Sequence, residues 1–118
     1  MTKTLALVPI VLLISFLACE APERIRSDAE LGLTPSQATG RRIYDRQCGM
    51  CHAAYSGREY KGPSLQSMFK KPYLRTGAPA NNDRVRQIIL YGHNKMPGFG
   101  RVLSDEQVER LMEYLHTL

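Results

Sequence analysis

Apolar positions recur with a helical period in three segments of the chain. The most regular segment lies near the end, where Val108, Leu111 and Leu115 follow one another at spacings of three and four. Ser104 precedes this stripe, and Gln107 lies three residues after Ser104. This spacing is that of a capping box, which marks the start of a helix. The pattern predicts an amphipathic helix that begins after Ser104 and buries one face.

Two more helices are predicted upstream, joined by segments rich in Gly and Pro. One begins near residue 36, and another runs from Asn82 or Asp83 to Tyr91, where a glycine ends it. Residues 65–69 could form a further short helix, and no stretch of strand length alternates apolar and polar side chains. We therefore expect an all-α fold of three to four short helices, whose long loops need something to pack against.

The start of the chain has the pattern of an export signal. Lys3 precedes an apolar stretch over residues 5–18, which is shorter than the roughly 20 residues that a membrane-spanning helix needs. Residues 16–19 resemble a bacterial lipobox, in which the cysteine, here Cys19, receives a diacylglyceryl group. An ordinary signal peptide with an incidental cysteine, or an uncleaved anchor, would also fit this pattern.

This interpretation divides the chain into three parts. Residues 1–18 are the predicted signal peptide of lipoprotein type, residues 19–35 a lipid-anchored flexible tether of mixed charge, and residues 36–118 the folded domain. The domain would then be exported to the periplasmic or other extracytoplasmic face of a membrane. It would be held there through the two acyl chains on Cys19.

The amino-acid composition limits the kinds of function that the protein can have. A chain of 118 residues that is 43% hydrophobic and 23% charged fits one small folded domain. Its net charge of +5 is moderate, and no run of Lys and Arg with interleaved aromatics occurs, so nucleic-acid binding is not expected. Because Trp is absent and aromatics are only 8%, a metal, a disulfide or a cofactor is expected to help hold the core.

The chemistry concentrates in residues 48–52, whose form C-x-x-C-H is the attachment motif of c-type haem. Cys48 and Cys51, three apart on a helical turn, can reach the two vinyl groups of one porphyrin, and His52 can direct its imidazole to the iron. A zinc site would need four N or S ligands, and only three are present if Cys19 carries lipid. The two cysteines could instead form a redox-active dithiol or a structural disulfide.

From about residue 37 onward the chain resembles the class I cytochromes c. Gly40 and Tyr44 stand eight and four residues before the first motif cysteine, as in that family. Leu111 and Tyr114 match the residues of the last helix on which the family packs this pair. The resemblance implies the small cytochrome c fold, with short helices wrapped around one covalently bound haem c, and a close helix crossing at the glycine.

The same resemblance implies two more site residues. Residues 62–65 are similar to the family's Gly-Pro-x-Leu segment, in which the Pro carbonyl accepts a hydrogen bond from the unligated nitrogen of the haem histidine. Pro63 would serve His52 in this way. Met96 lies in a Pro/Gly loop before the last helix, where the family has its second axial ligand. His93 is the competing ligand, and the iron could also keep an open sixth position.

The function expected from these features is single-electron transfer by one haem c with His/Met ligation, without an enzymatic reaction or a small-molecule substrate. Expected partners are a donor dehydrogenase or cytochrome complex and an acceptor oxidase or reductase. They would dock at the haem edge through the basic residues Lys70, Lys71, Lys95 and Arg101. Two competing hypotheses are an electron-accepting subunit of a dehydrogenase or oxidase complex, and a haem protein that binds ligand at an open site.

Overall fold

The structure, a computed structural model, describes residues 25–118, and the regular elements within this range are helical. In chain order these are α1 (Pro35–Gln47), a short 3-10 helix (Met68–Lys70), α2 (Asn82–Tyr91) and α3 (Asp105–Leu115). The expected all-α fold is confirmed. None of these described helices has the length and apolar content needed to cross a membrane. The predicted signal peptide and Cys19 lie outside the described residues.

Helix α1 begins with a capping box that the apolar pattern alone does not indicate. The Thr34 side chain accepts a hydrogen bond from the Gln37 amide at 3.2 Å, and the Gln37 side chain accepts one from the Thr34 amide at 2.9 Å. Pro35 occupies the first helical position, where its missing N–H costs nothing. The T-x-x-Q spacing is the sequence signal that marks this start.

Helices α2 and α3 have the predicted boundaries. Asn81 caps α2 through the Arg84 amide, and Gly92 ends it with a φ of 80°, a conformation that a side chain would strain. Ser104 and Gln107 form the predicted capping box of α3. These ends are predictable because a cap involves only residues within one turn of each other.

The short helix expected at residues 65–69 forms instead at Met68–Lys70, so this prediction was wrong in its boundaries. The Leu65 amide donates to the Ala53 carbonyl at 2.8 Å, which ties it to a distant loop. Ser67 adopts a left-handed conformation with φ 55°, which interrupts any helix at that residue. The helix therefore starts only after this turn.

The core is organised by the crossing of α1 and α3. At Gly40 an added Cβ would lie 1.9 Å from the Arg110 carbonyl oxygen, so the two backbones touch at this residue. One turn on, the rings of Tyr44 and Tyr114 pack with centroids 5.4 Å apart. Leu111 is 1% exposed. The helix crossing expected from the resemblance is confirmed. It sets the direction in which α1 leads into the C-x-x-C-H motif that follows it.

The residues before α1 also contact the domain. The buried guanidinium of Arg41 donates to the Asp28 carboxylate at 2.7 Å and to the Arg26 carbonyl at 2.6 Å. Arg26 in turn lies over the ring of Tyr55, with its guanidinium carbon 4.8 Å from the ring centroid. Arg26 and Asp28, which lie in the predicted tether of residues 19–35, therefore contact the domain and supply the acceptors that the buried cation requires.

Candidate functional site

The C-x-x-C-H motif forms a tight turn that continues directly from α1. The amides of Cys51 and His52 both donate to the Cys48 carbonyl, at 2.9 and 3.0 Å. Both cysteines are half-buried free thiols. Burial, with a smaller contribution from the nearby Cys51, raises the pKa of Cys48 to about 11. The turn therefore presents two reduced thiols at a separation of three residues, next to the imidazole of His52.

The imidazole of His52 is held by the loop that follows. Its Nδ1 lies 2.7 Å from the Pro63 carbonyl oxygen, and because a carbonyl only accepts, Nδ1 carries the proton. Within residues 25–118 no hydrogen bond engages Nε2, so its lone pair is left for a metal. At Gly62 an added Cβ would lie 2.4 Å from Cε1 of the ring, so the backbone of the loop packs directly against it.

Backbone hydrogen bonds fasten the Pro63 loop to the motif. The Gly62 amide donates to the Cys51 carbonyl at 2.8 Å, and the Leu65 amide donates to the Ala53 carbonyl at the same distance. Pro63 lies between these two attachments, which fixes the position of its carbonyl relative to the imidazole. The long loop, for which the sequence required a packing partner, thus packs on the motif itself.

The structure places Met96 in a turn that is closed by backbone hydrogen bonds. The Met96 amide and carbonyl bond to the carbonyl and amide of His93, at 2.9 and 3.1 Å. Beyond the turn the Phe99 amide donates to the Ile89 carbonyl at 2.8 Å, which attaches the loop to the end of α2. An added Cβ at Gly92 would lie 2.5 Å from the Met96 carbonyl oxygen. Met96 is half-buried, whereas His93 is exposed.

Three further side-chain contacts were not anticipated from the sequence. His116 is exposed, as its place near the end of α3 suggests, but its ring stacks on Phe69 with centroids 3.9 Å apart. Its Nε2 lies 2.7 Å from the Asn82 side-chain oxygen. The hydroxyls of Tyr55 and Tyr114 are 2.7 Å apart. No local pattern could have revealed these pairs, because their members are separated by at least 34 residues.

These features fit a covalently attached haem. Two reduced thiols flank a turn, and the neighbouring imidazole is held in the tautomer that offers Nε2. In the described part of the chain no three His, Cys, Asp or Glu side chains converge as a metal site of their own. This donor set fits a group that brings its own ligands to the metal, and the imidazole of His52 would supply a further nitrogen.

Fold and site together define a class, the class I mono-haem c-type cytochromes. The chain belongs to the family described as "Cytochrome C oxidase, cbb3-type, subunit III", whose profile matches residues 35–115, more than half of its length. The matched region begins with α1, contains the motif and ends with α3. Membership in this family of c-type cytochromes implies a covalently bound haem c and haem-based electron transfer, as expected from the sequence.

Two cytochromes c6 are also similar to this chain. Cytochrome c6 from Rippkaea orientalis (strain PCC 8801 / RF-1) is 26% identical over 83 residues, which is 70% of this chain and 71% of that protein. Cytochrome c6 from Pyropia yezoensis is 25% identical over 87 residues, covering 74% of this chain and 76% of its own length. The small cytochrome c fold, predicted from the resemblance, is confirmed.

Proposed function

We propose that this protein is a single-electron carrier of an extracytoplasmic electron-transfer chain. One haem c would be attached through Cys48 and Cys51, with His52 and Met96 as axial ligands. When bound, the haem takes up and releases one electron. The main support for the proposal is the hydrogen bond of 2.7 Å from Nδ1 of His52 to the Pro63 carbonyl oxygen. This hydrogen bond orients the imidazole and leaves Nε2 for the iron.

The attachment is tested by replacing both motif cysteines. In the Cys48→Ala, Cys51→Ala double variant we expect no haem to survive denaturing electrophoresis, because no thioether bond can form. Cys19→Ser is the matched control, since it removes a cysteine outside the motif and should keep the haem stain. A covalent haem retained by the double variant would contradict the proposed attachment.

Met96 supports the carrier function through its chemistry and its setting. Its thioether is a soft, neutral donor that favours the ferrous over the ferric state relative to imidazole, which raises the reduction potential. The surrounding turn is closed by backbone bonds to His93 and anchored to α2, so the ligand need not move when the charge of the iron changes. With protein ligands in both axial positions, a small molecule has no place to coordinate, which favours a carrier over an enzyme.

Three variants test the Met96 assignment. Met96→Ala should bind carbon monoxide when reduced, and Met96→His should stay six-coordinate with a lower reduction potential. Met50→Leu is the control, because Met50 is 77% exposed within the motif turn and should leave the weak long-wavelength band of the ferric sulfur–iron bond intact. A wild-type protein that lacks this band and binds carbon monoxide readily would favour an open-site haem protein instead.

We further propose that the domain is exported and anchored through a lipid on Cys19. Arg26 is attached to the domain through Arg41 and Tyr55. The seven residue steps from Cys19 to Arg26 span at most about 25 Å, at roughly 3.6 Å per residue. Partners would therefore be met close to the membrane surface. Cys19→Ser should block the addition of lipid, and a wild-type protein that is already soluble would refute the anchor.

Redox partner proteins would meet the domain through its basic surface. The four basic residues Lys70, Lys71, Lys95 and Arg101 are all exposed, and Lys70 also donates to the Leu118 carbonyl at 3.2 Å. Such charges steer an acidic partner and increase the rate of encounter.

A permanent subunit of an oxidase complex is the second candidate, and the description of the family favours it. Haem staining after native electrophoresis of mildly solubilised membranes distinguishes the two. A carrier migrates by itself, whereas a subunit migrates with its complex.

A further inference from the structure

Tyr44 contacts both ends of the haem-attachment motif. Its backbone carbonyl accepts hydrogen bonds from the amides of Cys48 and Gly49, at 2.8 and 2.9 Å, where the motif begins. Its side-chain hydroxyl donates to the backbone carbonyl of His52, where the motif ends. A single residue thus spans the whole five-residue turn.

The ring of Tyr44 is in turn fixed by the core. It is 5% exposed and packs against Tyr114 at a ring angle of 50°, beside the tight crossing at Gly40. The position of the Tyr44 hydroxyl is therefore determined by the packing of α1 on α3.

We propose that the Tyr44 hydroxyl is a positioning group that sets the orientation of His52 through its backbone carbonyl. The inference rests on the proposed role of His52 as an axial ligand. Pro63 holds the far end of the side chain through Nδ1, and Tyr44 holds the main chain from which that side chain extends. Pro63 and the Gly62 backbone hold the imidazole ring, and the Tyr44 hydroxyl fixes the main chain from which it extends, so together these contacts determine the direction of the ring.

The proposal is tested in the haem-loaded protein with Tyr44→Phe, which keeps the ring and removes only the hydroxyl. Tyr55→Phe is the matched control, because it removes another hydroxyl from the same tyrosine cluster, one that pairs with Tyr114 and not with His52. Two measurements are made on each. Electron paramagnetic resonance of the ferric protein reports the orientation of the axial imidazole, and amide hydrogen exchange reports how firmly the turn is closed at Cys51 and His52.

We expect Tyr44→Phe to shift and broaden the ferric g values and to accelerate exchange at these two amides by about tenfold, the loss equivalent to one net hydrogen bond. Tyr55→Phe should leave both measurements at their wild-type values. Equal spectra and equal exchange rates in the two variants would overturn the proposal. A wild-type spectrum without nitrogen ligation would refute the role of His52 instead, and the exchange comparison would still decide whether Tyr44 holds the turn.

Discussion

Gly40→Ala adds one methyl group at the point where α1 and α3 cross. The new Cβ would lie 1.9 Å from the Arg110 carbonyl oxygen and 2.8 Å from Cβ of Tyr114. Heavy atoms attract at roughly 3.5 Å, so the backbones would have to separate by about 1.5 Å at this contact. The nearest atoms belong to a backbone and a Cβ, which cannot rotate away as the end of a long side chain can.

The magnitude follows from two opposing effects. Alanine improves helix propensity by about 1 kcal/mol over glycine. Overpacking of a close contact costs about 3 kcal/mol. We therefore expect a net loss of about 2 kcal/mol in the free energy of unfolding, which lowers Tm by roughly 8–16 °C in a domain of this size. Separation of the helices would also move Tyr44 away from Tyr114. The C-x-x-C-H turn, which follows Tyr44, would move with it.

Thermal unfolding of the haem-loaded protein, followed by far-ultraviolet circular dichroism, measures this loss. Gly57→Ala is the matched control, because an added Cβ at Gly57 meets nothing within 4 Å. It should change stability by less than about 1 kcal/mol, through the unfolded chain alone. If Gly40→Ala were as stable as Gly57→Ala, the reasoning that the helices touch at this glycine would be refuted.

Three more substitutions test the loops and the surface. Gly62→Ala places a Cβ 2.4 Å from the His52 ring and should cost about 1–3 kcal/mol and alter the ferric spectrum; an unchanged spectrum would contradict this packing. Arg41→Met removes two hydrogen bonds to residues 26–28 and should speed proteolysis of that segment. A cleavage rate equal to that of the wild-type protein would contradict this role of Arg41. Lys95→Glu should slow oxidation by hexacyanoferrate and weaken its dependence on ionic strength; a wild-type rate independent of salt would argue against steering.

Local patterns in the sequence predict the helices well. The caps at Ser104 and Gln107, and the glycine after Tyr91, operate within one turn, so they are visible without knowledge of the fold. The start of α1 at Thr34 carries an equally local signal, although the apolar pattern alone suggested a start near residue 36. The short helix near Met68 is displaced from its expected position, because a long-range bond at Leu65 overrides local preference.

The haem motif is similarly local, since the thiols of Cys48 and Cys51 and the imidazole of His52 lie within five residues. The Pro63 contact, by contrast, joins residues eleven apart in a loop without regular structure, and only the resemblance to a known family anticipated it. The role of Met96 stays a prediction, which the hydrogen-bonded turn around this residue supports.

The sequence by itself determined the class of protein, because a covalent cofactor motif and helix caps are short-range features. Apart from the Pro63 contact, which the resemblance implied, only the tertiary structure decided how the motif is held. The structure adds contacts between residues that do not share a helical turn. They are the hydrogen bond from Tyr44 to the His52 carbonyl, the hydrogen bonds of Arg41 with residues 26–28 and the stacking of His116 on Phe69. The energies of such contacts depend on a three-dimensional geometry that no sequence spacing specifies.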